Sequence, residues 1–385
     1  MQAPEEPVRT VTAVVAARPN FVKMAPVVQA LTDREGIAVR VLQTGQHYDA
    51  VLSTSFLEQL GMPAPNENLG IGSGSHAEQT ARVLVGVEQA LLRNRPDALV
   101  VAGDVNSTLG AALAAVKLGV PTVHVESGLR SRDWTMPEEV NRVLTDRVSE
   151  LLLCTSSDAV ENLAAEGIAG PTVALVGNTM IDSLWRMVGQ AEDVSPIGAL
   201  GLEPRTYALV TLHRPSLVDQ QEPLAAVLRV LKELAAELPV VFPMHPRTRA
   251  RLSSVDHRAR SGLRLLEPLR YLDFLALERW ARLVITDSGG VQEETSALGV
   301  PCLTYRTTTE RPVTIELGTN RLIGTEPAAL QAACRQELAR EPDFVPAPIP
   351  LWDGRAGERA ARAIAKLLVA PKAARWRRWS GGRCE

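Results

Sequence analysis

The chain has 385 residues, 45% hydrophobic and only 4% aromatic, and its 41 Lys+Arg against 44 Asp+Glu leave a formal net charge of −3. That length exceeds what one core usually organises, so two or three domains are expected. The near-neutral balance argues against a nucleic-acid-binding protein and the scarcity of aromatics against a base-stacking platform, while one local basic pocket for a phosphorylated small molecule stays compatible with both. Cys154, Cys302, Cys334 and Cys384 are scattered without a C-x-x-C pair, so no disulfide framework is indicated. The N-terminus MQAPEEPVRTV lacks a signal-peptide pattern, and no apolar run approaches the roughly 20 residues of a membrane span. The expectation is a soluble, cytoplasmic, multi-domain protein.

In chain order, short apolar runs alternate with amphipathic stretches, the pattern of βαβ units on a parallel sheet. Strands are predicted at Val11–Ala17, Ala38–Gln43, Ala98–Ala102, Thr122–Val125 and Leu151–Cys154, most of them continuous apolar runs suited to a sheet covered on both faces. Helices are predicted between them at Phe21–Asp33, His76–Asn94, Ser107–Leu118, Pro137–Ser149 and Ser157–Glu166. After the Gly170–Pro171 turn come strands at Thr206–Leu212, Val240–Phe242 and Leu283–Thr286, with helices at Leu217–Glu237, Tyr271–Trp280 and Val291–Leu298. The fold class is therefore α/β, two Rossmann-like doubly wound domains facing a cleft. Residues 1–170 form the first domain and 171–354 the second. In 355–385 a final helix packs back on the first domain ahead of the basic tail PKAARWRRWSGGRCE. Trp376 and Trp379 interleave with arginines there, which reads either as a membrane-surface or anionic-partner element or as a solvated terminus.

In open parallel sheets ligands bind beyond the carboxyl ends of the strands. That edge gathers Arg18, Lys23, Gln46, His47, Asp104 and Glu126 in the first half. A single carboxylate such as Asp104 caps a helix as readily as it does chemistry. Two on separate strands beside an Arg and a Lys favour chemistry. Pro137-Glu138-Glu139 opens a helix a few residues beyond Glu126, where acids also offset the helix dipole. In the second half, His213-Arg214 and His245-Pro246-Arg247 follow strand ends. No H-x₃-H or H-E-x-x-H spacing appears, so no metal site is expected. Asp287-Ser288-Gly289-Gly290 links a strand to a helix and reads either as a diphosphate site at the helix N-terminus or as a tight turn, with Glu294 placed for ribose hydroxyls. Gly70–Ser75 is glycine-rich without G-x-G-x-x-G spacing and reads as a flexible loop rather than a dinucleotide turn.

These motifs together resemble the UDP-N-acetylglucosamine 2-epimerases of the non-hydrolysing type, with the two-domain GT-B architecture. The likeness runs through ARPNFVKMAP (17–26), TGQH (44–47), GDVNST (103–108), HVESGLR (124–130), MPEEVNRVLTD (136–146), VGNTMID (176–182), TLHRPS (211–216), FPMHPR (242–247), TDSGGVQEE (286–294) and TERPVT (309–314). It implies interconversion of UDP-GlcNAc and UDP-ManNAc at C2, by anti elimination of UDP to 2-acetamidoglucal and re-addition, with no cofactor. By motif, Asp104, Glu126, Glu138 and His213 match the catalytic group. Arg18, Lys23, Phe274, Ser288, Gly289, Gly290, Glu294 and Arg311 match the UDP-sugar contacts. Gln46, His47, Glu139, Arg214 and His245 match positions for a second UDP-GlcNAc acting as activator. The loop GIGSGSHAEQT departs from the form that carries an activator-contacting arginine in some members. The resemblance further implies a homodimer and a role in cell-surface polysaccharide biosynthesis. A hydrolysing 2-epimerase, a 2-epimerase of a related UDP-amino sugar, a glycosyltransferase of the same fold and a non-catalytic sugar-nucleotide sensor are the alternatives.

Overall fold

A computed structural model of the chain describes residues 7–16, 18–45, 56–191, 196–244, 248, 262–340 and 348–370. By contacts it divides into two compact units, Met1–Ser183 with Pro350–Glu385, and Leu184–Ile349.

Among the described residues, the first unit is built on seven strands: β1 (Arg9–Val15), β2 (Ile37–Gln43), β3 (Glu67–Asn68), β4 (Ala98–Ala102), β5 (Thr122–Ser127), β6 (Leu151–Cys154) and β7 (Val173–Leu175). All pair in parallel, in the order β3-β2-β1-β4-β5-β6-β7. The second unit repeats the plan with β8 (Ala208–Thr211), β9 (Val240–Pro243), β10 (Leu263–Leu266), β11 (Leu283–Thr286), β12 (Cys302–Thr304) and β13 (Asn320–Leu322), in the order β10-β9-β8-β11-β12-β13. Each sheet reverses its winding once, between β1 and β4 and between β8 and β11, and the crevice at such a reversal is where doubly wound sheets bind ligands. The α/β, doubly wound expectation holds for both sheets.

Central strands read as unbroken apolar runs because helices cover both faces: every residue of β4 and β6 is buried. Strands β4, β6 and β11 have the expected limits. The short β3, β7, β12 and β13 were not anticipated, since two or three residues carry too little pattern, and neither was β10, whose four residues are mostly half-buried. Helices Thr179–Ala191 and Pro327–Leu338 were also unanticipated. The helix Ala356–Val369 buries Ala360, Ala361, Ile364 and Leu368 and packs against the helix Arg18–Thr32. Gly357 is required there, because a Cβ would lie 2.6 Å from the carbonyl oxygen of Pro26.

The helix Pro137–Val148 is inverted relative to an ordinary amphipathic helix. It buries Glu139, Asn141, Arg142, Thr145 and Asp146, while Leu144 is 45% exposed. Positions 139, 142 and 146 recur at helical spacing and therefore share one face. Among the described residues, no helix is long and apolar enough to cross a membrane.

Candidate active site

In the first unit the strand-end residues converge. Between Val125 and Ser127 the register of β5 slips against β6, which leaves Glu126 as the extra residue of a bulge. Glu126 adopts φ +66°, a left-handed conformation that costs a non-glycine residue on the order of 1–3 kcal/mol. Its buried carboxylate forms an ion pair with Nζ of Lys23, itself almost fully enclosed. Gly103, at the end of β4, has φ +68°, and a Cβ there would sit 3.2 Å from both Glu126 Oε2 and Lys23 Nζ. The pair is thus lodged against bare backbone. Asn20, in the first turn after β1, donates to the Ala102 carbonyl at 2.8 Å and fastens that turn to the end of β4.

Asp104 follows Gly103 and is held by the guanidinium of Arg142, while Asn141 donates to its carbonyl at 2.9 Å. Arg142 also binds Glu139, whose buried carboxylate accepts at 2.9 Å from the Ser131 amide, the Ser131 hydroxyl and the Arg132 amide. Glu139 therefore fastens the 131–132 turn to its own helix. Glu138, one residue earlier, is half-buried and lines a cavity of about 150 Å³ together with Gly45, Gly72, His76, Asn106 and Asn141. The Gly70–Ser75 loop borders this cavity: the Ile71 amide donates to the Thr44 carbonyl at 2.8 Å, and Ser75 caps the next helix in a reciprocal box with Glu78.

Behind these residues lies an ionic network that motif reasoning did not single out. His124 is fully buried, with Nδ1 2.6 Å from Asp146 Oδ1 and Nε2 2.8 Å from the Gly103 carbonyl. The other oxygen of Asp146 accepts from the Gly128 amide at 3.0 Å and from Arg130 at 2.7 Å, and Arg130 continues to Glu166. Burial opposes ionisation of Asp146, yet the His124 and Arg130 charges outweigh it and hold the carboxyl below its ordinary range.

In the second unit β8 and β11 end side by side. The buried carboxylate of Asp287 accepts from the backbone amides of His213, at 2.9 Å, and Arg214, at 2.8 Å, and binds His213 Nδ1 at 2.9 Å. The half-exposed His213 ring is oriented by this residue, which was not singled out from the sequence. Ser288 precedes the helix Gly289–Leu298. A Cβ on Gly289 would meet Arg311 Nη1 at 2.6 Å, so the glycine admits the arginine beneath the turn. Arg311 is buried and paired with Glu310 and Glu293, the latter at 2.9 Å. Glu294 accepts from the Tyr271 hydroxyl, and burial pushes its carboxyl up to about 7. Phe274 packs on the apolar cluster that includes Leu277 and Val291.

Gln46, His47 and His245 lie outside the described residues, as do the side chain of Arg18 and the basic tail from residue 371. Among the described residues, no group of three or more His, Cys, Asp or Glu is arranged to hold a metal ion.

The family profile for UDP-N-acetylglucosamine 2-epimerase matches residues 29–365. The chain belongs to this epimerase family. The UDP-N-acetylglucosamine 2-epimerase of Methanocaldococcus jannaschii is 39% identical over 360 residues, 91% of this chain and 97% of the relative. The UDP-2,3-diacetamido-2,3-dideoxy-D-glucuronate 2-epimerase of Pseudomonas aeruginosa is 38% identical over 362 residues, 92% and 99% of the two chains. The crystal structure of the Methanocaldococcus jannaschii epimerase in complex with UDP-GlcNAc and UDP superposes with a TM-score of 0.83, at 37% identity over 93% of this chain and 99% of that one. Membership in this family accords with the resemblance carried by the motifs, and with the doubly wound sheets.

Proposed function

We propose that the protein interconverts UDP-N-acetylglucosamine and UDP-N-acetylmannosamine by inverting C2. The observation that carries this reading is the carboxylate cluster of the first unit: Glu126 strained at a bulge and paired with Lys23, Asp104 at the end of the neighbouring strand, and Glu138 one helical turn before the arginine that holds Asp104.

No carbonyl in the ring adjoins C2, so direct removal of its proton is unfavourable. Elimination avoids the difficulty. A carboxylate takes the C2 proton, the C–H electrons form the C1=C2 double bond, and the C1–O electrons leave anti with UDP to give 2-acetamidoglucal. In the return step a phosphate oxygen re-forms the bond to C1 while an acid on the opposite face protonates C2. Nothing is oxidised or reduced, so the chemistry calls for no redox cofactor. Asp104, Glu126 and Glu138 supply the acid–base groups, each typically contributing about 10²–10⁴-fold.

The departing diphosphate needs donors where its charge grows. Ser288, Gly289 and Gly290 at a helix N-terminus, with His213, take that role in the second unit, and Arg311 supports the turn from beneath, while Arg18 and Lys23 are the basic pair that the family motif supplies in the first unit. Glu294 accepts from ribose hydroxyls and Phe274 flanks the uracil. A second UDP-N-acetylglucosamine bound as activator, near Gln46, His47, Glu139, Arg214 and His245, would appear as sigmoidal dependence of rate on substrate. A homodimer completes the reading.

In D₂O with UDP-GlcNAc, the protein should form UDP-ManNAc and carry deuterium at C2 of both epimers. Free ManNAc with stoichiometric UDP would instead identify a hydrolysing enzyme. The Pseudomonas aeruginosa relative is named for a different sugar at nearly the same identity. UDP-GalNAc and a UDP-2,3-diacetamido uronate therefore belong in the same assay.

A further inference from the structure

We propose that His124, bonded through one ring nitrogen to Asp146 and through the other to the Gly103 carbonyl, is the positioning residue that keeps Asp104 and Glu126 in register for proton transfer. The inference rests on the role given above to those two carboxylates.

His124 lies two residues before Glu126 on β5, and its ring has no contact with solvent. Each ring nitrogen faces an oxygen. Nε2 meets the Gly103 carbonyl at 2.8 Å, and a carbonyl cannot donate. Nδ1 meets Asp146 Oδ1 at 2.6 Å, and the second oxygen of that carboxylate already accepts from the Gly128 amide and Arg130. Both contacts are satisfied when Nε2 donates to the carbonyl and a proton lies between Nδ1 and Asp146 Oδ1, with Arg130 and Glu166 completing the network.

The bonds run to the peptide segments that flank the two carboxylates. Gly103 is left-handed and immediately precedes Asp104, while Gly128, left-handed at φ +82°, lies two residues beyond Glu126, left-handed at φ +66°. Through Nε2 the His124 ring holds the end of β4. Through Asp146 it holds the chain beyond the β5 bulge. One buried His–Asp pair therefore spans the peptide segments that carry both carboxylates, and the helix supplying Asp146 also supplies Glu138 and Arg142. A buried ion pair adds little stability over apolar packing of the same volume, so alignment is the property it provides here.

The test has two arms on the full-length chain. The first compares His124→Gln and Asp146→Asn with wild type. A misplacement of about 1 Å costs about 10²-fold in rate, so kcat should fall on that order while KM stays within about twofold. The C2 deuterium exchange should fall in step. Unchanged kcat in folded His124→Gln overturns the proposal, and so does a change confined to KM or to melting temperature. The second arm needs no variant. With ¹⁵N-histidine labelling, both His124 ring nitrogens should report hydrogen bonds and protection from solvent exchange, and a ring nitrogen in fast exchange with water overturns the assignment. Wild type without C2 exchange would refute the epimerase reading instead, and the nitrogen spectrum would still decide the contacts of His124.

Discussion

Arg142 joins Asp104 to Glu139 through a single guanidinium, one terminal nitrogen on each carboxylate. The forked cation matters because Glu139 is 1% exposed and cannot turn to water when its partner is removed. Arg142→Ala strands a buried charge and should destabilise the fold by about 3–5 kcal/mol in urea melts. Arg142→Lys keeps one charge but loses the fork, so it should recover part of the stability and little of the activity. Equal stability of Arg142→Ala and wild type would refute this account of the helix face.

Glu126→Gln preserves volume while removing the base and its ion pair with Lys23. Turnover should fall by about 10²–10⁴-fold, with circular dichroism unchanged. Deuterium incorporation at C2 should vanish with it. A variant that retains full exchange would remove Glu126 from the chemistry.

Two glycines at this edge separate folding from activity. A Cβ on Gly128 would lie 2.3 Å from the Ala159 carbonyl at φ +82°, a backbone collision with no easy escape. Gly128→Ala should cost about 2–4 kcal/mol from strain and overpacking. Gly103→Ala, at φ +68°, meets only side-chain ends, Lys23 and Glu126 at 3.2 Å and Asn20 at 3.6 Å, so folding should lose about 1–2 kcal/mol while kcat drops far more. Paired urea melts and rate measurements check the contrast, and the reverse ranking would refute it.

Glu294 supplies a pH signature. Burial raises its carboxyl from the ordinary 4.5 to about 7, and Glu278, fully buried, is raised as well. The folded chain holds these protons more tightly than the unfolded one. Their contribution to stability is therefore fullest below about 4.5 and is lost as pH rises through 7. Glu294→Gln removes one titration and should flatten that decline, leaving the variant ahead of its parent at pH 8 by on the order of 2–4 kcal/mol. Parallel denaturation curves from pH 4.5 to 8 would contradict it.

How much of this was legible in the sequence varies with distance along the chain. Leu151–Cys154 and Leu283–Thr286 are continuous apolar runs bounded by polar residues, and their limits could be read directly. Cys302–Thr304 is three residues long and is a strand because β11 and β13 flank it, which no local pattern reports. Asp104, Glu126 and His213 stood out because each follows an apolar strand. Asp146 did not, since its partners His124 and Arg130 lie 22 and 16 residues away and its own helix looks like ordinary surface. Asp287 was passed over as part of a turn, although it orients His213 from 74 residues away. Glu139 matched an activator contact by motif, while its carboxylate is engaged within the first unit by the 131–132 turn and Arg142.

The inverted helix Pro137–Val148 has a consequence for any attempt to harden this protein. Its inward face of Glu139, Arg142 and Asp146 is where apolar replacements of matched volume would make the fold more robust, because buried ion pairs seldom repay their dehydration. Selection for heat resistance alone should therefore drift toward hydrophobic residues at these positions and yield durable, catalytically silent descendants. A screen that scores turnover after heating would keep the charges.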